Sequence, residues 1–294
     1  MRRRHFLAAG GALFLTACSR TVPTPVAAPT TSAPLPTPAA PTTSAAPTPT
    51  PTPTPTRGTA AEIAARSTVP VLCYHQLREL EPDDGEYSRS ITFPPATFRA
   101  QLEAVRDGGR TPIRAAALLD HLEFGTPLPE KPVLLTFDDG SAGHATVALP
   151  LLQELGFPAM FFPMTVVLDK PNWLSRDDLR RLDAAGMEIG AHTWDHQRLD
   201  RLPDDQWHTQ LDEPAATLAE VLGRPVDVMA YPFGVWAPRT LPHVTEAGYR
   251  AAFQLAEAVD PEQPMLTIRR VMPSPTWDGD TLLAHLDEDF TPGA

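Results

Sequence analysis

The 294-residue sequence predicts an α/β fold, a parallel barrel of the (β/α)7 type in a single domain. From Val69 onward, short apolar runs alternate with helix-period segments, about seven runs in all, as in parallel barrels. Asp, His and Gly-turn chemistry falls where several of those runs stop, and such barrels work at the carboxyl ends of their strands. Ahead of this region the composition changes to Pro, Thr, Ala and Ser, which sets the folded part off as one domain.

The N-terminus reads as an export signal. Arg2, Arg3 and Arg4 precede an apolar run from Phe6 to Leu15, too short to span a bilayer. Leu15-Thr16-Ala17-Cys18 resembles a bacterial lipobox, so residues 1–18 are expected to be a lipoprotein signal peptide with Cys18 as the lipidated residue. Arg3-Arg4-His5-Phe6-Leu7 also resembles a twin-arginine signal. Residues 19–67 carry too little apolar bulk to offset ordering entropy and are expected to form a disordered tether, stiffened by proline, with the domain at 68–294. The predicted location is extracytoplasmic, on the cell envelope, with the lipid anchor as the only membrane contact. Cys73 is then left without a partner and is expected to be a buried small residue. A net charge of −12 argues against nucleic acid or anionic lipid as a partner.

In chain order, Val69–Tyr74 reads as a strand, Pro95–Asp107 and Ile113–Leu122 as helices, and Val133–Phe137 as a strand closed by Asp138-Asp139-Gly140. Ala145–Leu155 is helical and Ala159–Met164 extended. Ser175 caps a helix through Ala185, with Asp177 and Asp178 in its first turn as the dipole prefers. Met187–Ala191 is a strand, Asp204–Leu222 a helix, and Val226–Tyr231 a strand. Leu241–Ala247 is helical, Tyr249–Gln254 and Thr267–Met272 are strands, and Thr281–Asp289 is a closing helix.

Four strand ends carry the chemistry. Asp138 and Asp139 put two like charges at the end of a buried strand, which costs free energy unless a cation or a proton compensates them. His192-Thr193-Trp194-Asp195-His196 follows the next polar strand end, and two histidines four apart can share a metal. Tyr231-Pro232-Phe233-Gly234 forms a tight loop, and Tyr74-His75 closes the first strand. Singly, each stretch is also an ordinary turn; together they define a site.

The stretches TFDDG, HTWDH and YPFG resemble three motifs of the polysaccharide deacetylase family (carbohydrate esterase family 4). The likeness continues through Ser141–Phe162, and it implies a distorted (β/α)7-type barrel. Carried over by position, it implies Asp138 as catalytic base and Asp139, His192 and His196 as ligands of a divalent ion, zinc first, with cobalt, nickel or iron as alternatives. Two histidines and one carboxylate leave coordination positions open for water and a carbonyl oxygen, which agrees with that chemistry. The implied reaction is hydrolytic removal of N-acetyl groups from an N-acetylglucosamine-containing polysaccharide. Peptidoglycan or an O-acetylated glycan is an alternative substrate, and a non-catalytic glycan-binding lipoprotein is the alternative class. A backbone N–H near Tyr231 is expected to hold the oxyanion, and Trp194 and Phe233 to stack on sugar rings.

The sequence departs from the family pattern twice. The third motif has Ala230 where many members carry an Arg that orients the base, so Arg269 or Arg270 on the Thr267–Met272 strand is expected to substitute, Arg270 being the candidate. For the general acid, His285 falls on a helix-period segment, whereas Val69–His75 resembles the opening strand of a circularly permuted branch that includes biofilm poly-N-acetylglucosamine deacetylases. His75 is therefore the expected acid. His121, His144, His208 and His243 fall on helical stretches and are expected at the surface.

Overall fold

A computed structural model describes residues 56–255 and 258–291. The signal segment, Cys18 and the tether as far as residue 55 lie outside the described residues. The end of the tether is corrected. Thr59 caps helix α1, Ala60–Arg66, through a reciprocal capping box with Glu62. Ile63 is buried, Arg66 donates to the Leu122 carbonyl at 2.8 Å, and Gly58 N–H donates to Glu123 O at 2.7 Å. One apolar residue in helical register, with a cap before it, suffices to dock the last turns of an otherwise polar segment. The folded unit thus begins before residue 60.

Strand β1, Val71–Tyr74, is followed by the short β2, Gln76–Leu77, helix α2, Glu86–Ile91, and β3, Thr92–Phe93. Then come α3, Pro95–Asp107, β4, Thr111–Pro112, and α4, Ala115–Phe124. β5, Pro132–Asp139, extends two residues past the expected end, so both carboxylates belong to the strand itself. A wide π turn at His144–Ala148 leads into α5, Leu149–Leu155, and a second one at His208–Asp212 leads into α7, Glu213–Leu222. Each stands just before a proline, Pro150 or Pro214, whose ring and missing N–H cannot fit a regular turn. The helix expected from Asp204 to Leu222 is for that reason a chain of three pieces. β6, Met160–Pro163, α6, Arg176–Ala184, and β7, Glu188–Ile189, precede α7. β8, Val228–Ala230, α8, Thr240–Glu246, β9, Ala251–Phe253, and α9, Gly279–Glu288, complete the order.

The barrel is parallel and irregular. Ladders join β1, β5, β6 and β7 in that order, and a separate ladder joins β8 to β9. Single parallel bridges supply the remaining links: Ala191 to Met229, Phe253 to Ile268, and Val271 back to Leu72 in β1. The segment expected as the Thr267–Met272 strand pairs only at these points, which is where the ring is thinnest. The chain's first strand therefore lies between its last extended segment and β5.

Two cores follow from the period-2 alternation of the strands. Leu134, Met160, Phe162, Val228, Ala230, Ala251, Phe253 and Ile268 fill the barrel interior. Leu135, Phe137, Phe161, Met229 and Tyr231 face outward beneath the helices. On β5 the inward positions are Leu134, Thr136 and Asp138, so the first aspartate of the pair caps the interior core. This parity decides most of the site.

Candidate active site

Asp138 is 2 % exposed and holds a charge there because of Arg270, itself 1 % exposed. Arg270 Nη1 and Nη2 donate to Asp138 Oδ1 and Oδ2, each at 2.7 Å, in a bidentate pair. The guanidinium is fixed in turn by Thr136 Oγ1 at 3.1 Å and the Gln254 carbonyl at 3.1 Å, and its plane lies near the Phe162 and Phe253 rings. Cys73, inward-facing on β1, donates its thiol to Asp138 Oδ2 at 3.3 Å. Burial would push the Asp138 carboxyl up, but the Arg270 charge, helped by His192, outweighs it and holds the group well below the usual range. Arg269, the other candidate, faces outward to the Asp289 carbonyl.

Asp139 turns the chain with φ 71°, and Gly140 follows at φ 86°. A Cβ at Gly140 would stand 2.8 Å from Pro163 Cβ, so only glycine fits that corner. His192, directly after the bridge residue Ala191, has its Nδ1 2.8 Å from the Ala230 carbonyl, which leaves Nε2 as the free lone pair. Asp139 Oδ1 lies 3.5 Å from His192 Nε2 and 3.4 Å from His196 Nε2. Those separations exceed a good hydrogen bond, and Asp139 Oδ1 and His192 Nε2 are buried with no hydrogen-bond partner among the described residues. Two ligand atoms about 2.0–2.1 Å from one ion in tetrahedral geometry stand about 3.4 Å apart. The three residues therefore fit a divalent cation of borderline softness.

Burial opposes the charge on Asp139, yet the facing His192 and the charge of His75 hold its carboxyl at about 2. Burial lowers His192 as well, but the Asp138 and Asp139 charges more than offset it and raise the group. His196 is pushed down to about 4 by burial and by the His192 charge. Thr193 and His196 both adopt positive φ, at 63° and 68°, and the loop is tied by His196 N–H donating to Thr193 Oγ1 at 3.1 Å. Such strain concentrates at functional sites.

His75 closes β1 beside this group. It clusters with Cys73 and Asp138, and its Nδ1 is buried and unpartnered among the described residues. Burial lowers its pKa against the pull of the Asp139 and Asp138 carboxylates. His285 sits on α9, stacked on Trp277 at 3.9 Å and paired with Asp289 at 3.0 Å, as its helical spacing predicts.

Two expectations are corrected, Tyr231 by strand parity and His144 by packing against Phe137 and Phe161. Tyr231 follows β8 on its outward side: it is fully buried, its phenol donates to Leu266 O at 2.9 Å, and its N–H donates to Phe253 O at 2.9 Å. Neither group is free for an oxyanion. His144 is fully buried rather than at the surface, set against Phe137 and Phe161 with Nε2 2.6 Å from the His75 carbonyl. Burial pushes it down to about 4, so it is neutral there. His208 is exposed, and His121 and His243 are half-buried. Phe233 and Trp194 are 48 % and 37 % exposed, and the Phe233 ring lies 4.4 Å from His196. Spacing gave no warning of Cys73 or Thr136 as partners in the Asp138 network; only the inward parity of β1 and β5 reveals them.

A parallel barrel that presents a buried carboxylate, converging histidines and a second carboxylate at its strand ends is the frame of a hydrolase. A family model described as polysaccharide deacetylase matches residues 125–252. YxkH of Bacillus subtilis, assigned to that same family, is 25 % identical over 223 residues, covering 74 % of this chain and 76 % of that one. The poly-beta-1,6-N-acetyl-D-glucosamine N-deacetylase of Escherichia coli is 23 % identical over 237 residues, covering 65 % of this chain but 35 % of its own. Among solved structures, the Streptococcus pyogenes deacetylase PplD in complex with acetate shares the fold at a TM-score of 0.68 and 22 % identity, over 79 % of this chain and 99 % of that one. Over residues 125–252 the chain resembles the polysaccharide deacetylase family, hydrolases that act on carbon–nitrogen bonds other than peptide bonds.

Proposed function

We propose that this protein removes N-acetyl groups from an N-acetylglucosamine-containing polysaccharide at a site that needs a divalent metal. The observation that carries the reading is the convergence of Asp139, His192 and His196 beside a second carboxylate, Asp138, that is held by an arginine instead of by the cluster. When bound by those three residues, a divalent cation, zinc first, supplies a Lewis acid for water and for the amide carbonyl oxygen. Asp138 is kept ionised and oriented by Arg270, and its Oδ2, 3.9 Å from His192 Nε2, accepts the proton of the attacking water. The water oxygen bonds to the acetamide carbon, and the carbon–nitrogen bond then breaks. His75, entering the step as an imidazolium favoured by the Asp139 and Asp138 charges, gives its proton to the leaving amine, which stays on the sugar, and acetate is released. Trp194 and Phe233 offer exposed ring faces next to the histidine loop, where a pyranose can stack.

The lipobox-like Leu15–Cys18 and the proline-rich segment after it support placement outside the cytoplasm, on a lipid anchor at Cys18, with Arg3-Arg4 supporting export by the twin-arginine route. The test of function is acetate release from β-1,6-linked N-acetylglucosamine oligomers, before and after chelation and after zinc is returned. Loss on chelation and recovery with zinc is the expected result. Undiminished release from thoroughly chelated protein would refute metal dependence, and release only from O-acetylated glycans would refute N-deacetylation.

A further inference from the structure

The proton transfer assigned to His75 gives the glycan a direction. The amine that takes the proton remains on the sugar, so the sugar and the chain beyond it lie on the His75 side of the site. A cavity of about 510 Å³, within the size range of small-ligand sites, adjoins His75, since Ser141 in its lining has Oγ 3.5 Å from the His75 carbonyl. One wall begins at Gln76, the residue after His75, and runs to Glu81. The floor begins at Ser141, two residues after Asp139, and two residues of chain span at most about 7 Å. Asn172 and Trp173 form the far wall.

These walls are built. Ser141 bridges to Trp173, and Ala142 N–H donates to the Asn172 carbonyl at 3.0 Å. Gly143 lets β2 lie on the floor, because a Cβ there would stand 2.1 Å from Leu77 O. Arg78 is held by Asp84 through two bonds of 2.8 and 2.7 Å, which secures the near wall.

We propose that this cavity is a subsite for the neighbouring sugar of the same polysaccharide, with Trp173 as its stacking face and Gln76, Glu81 and Asn172 as partners for hydroxyl and acetamido groups. The proposal rests on the N-deacetylase reading above. The mixture of one half-buried indole with short amide and carboxylate side chains suits a pyranose, whose faces are apolar and whose rim is polar.

The test is kcat and KM for acetate release by the full-length protein from N-acetylglucosamine oligomers, dimer to pentamer. The wild type is expected to gain about 10-fold in kcat/KM from dimer to pentamer. Trp173→Ala should remove most of that gain through KM, and Trp173→Tyr should restore it. Asn172→Gly, which removes the exposed amide and tolerates the positive φ of 68° at that position, should raise KM for the pentamer about threefold, which keeps the test open if Trp173→Ala does not fold. A wild type without chain-length gain, an unchanged gain in both variants, or a loss confined to kcat would overturn the subsite. A wild type that cleaves an activated aryl acetate but no oligomer at all would remove the N-deacetylase reading itself, and the subsite with it.

Discussion

Replacing Arg270 with methionine isolates the most heavily buried interaction of the site. The guanidinium and the Asp138 carboxylate are 1 % and 2 % exposed and share two bonds of 2.7 Å. Losing one partner of a buried pair strands the other, at a cost of about 3–5 kcal/mol. For a domain of this size that corresponds to roughly 6–20 °C in Tm. The assay is denaturant unfolding of wild type, Arg270→Met, Asp138→Asn and the double variant. Each single change should cost several kcal/mol, and the double should cost less than their sum by about 2 kcal/mol or more, because neither partner is then left alone. Deacetylation should fall at least 100-fold in Arg270→Met while bound metal is retained, since Arg270 touches none of the three ligands proposed here. Additive costs, or a single-variant cost under about 1 kcal/mol, would refute the view that Arg270 sets the state of the base.

Alanine at Asp139, His192 or His196 is expected to abolish bound divalent metal and acetate release, while Asp138→Asn keeps the metal and loses turnover; metal analysis on purified variants decides it. His75→Ala should lower deacetylation of an oligomer by about 10²–10⁴-fold and spare an activated aryl acetate, whose leaving group departs unprotonated, whereas His285→Ala changes neither. A chain begun at residue 68 loses buried Ile63 and the Arg66 and Gly58 bonds, and should be less stable by a few kcal/mol than one begun at residue 56. His144 has a folded pKa of about 4, below its ordinary value of about 6.5, so the unfolded chain binds that proton more readily. Its contribution is complete above pH ~6.5 and is lost as the pH falls toward 4, by up to about 3 kcal/mol. His144→Gln should flatten that part of the stability profile, read by denaturant unfolding across the range, and an unchanged slope would count against it.

The sequence by itself determined the fold class, the strand that ends in Asp138-Asp139-Gly140 and the His192–His196 pair. These are local: each is a short run whose own residues specify both the strand and the turn that closes it. It also placed His285 on an outer helix, because its neighbours repeat with helical spacing. Only the tertiary structure decided which side of each strand a residue serves. Arg269 and Arg270 are adjacent and chemically alike, yet one faces the Asp289 carbonyl outside and the other meets Asp138 inside. Tyr231 was lost to the outer core by the same alternation, and Cys73 gained a place beside Asp138. Side-chain period in a strand is two, so a register shift of one residue exchanges the two faces, and register is set by partners far away in the chain. His144 and Ile63 stand in stretches that gave polar or surface signals along the chain and were buried by neighbours that sequence order does not reveal.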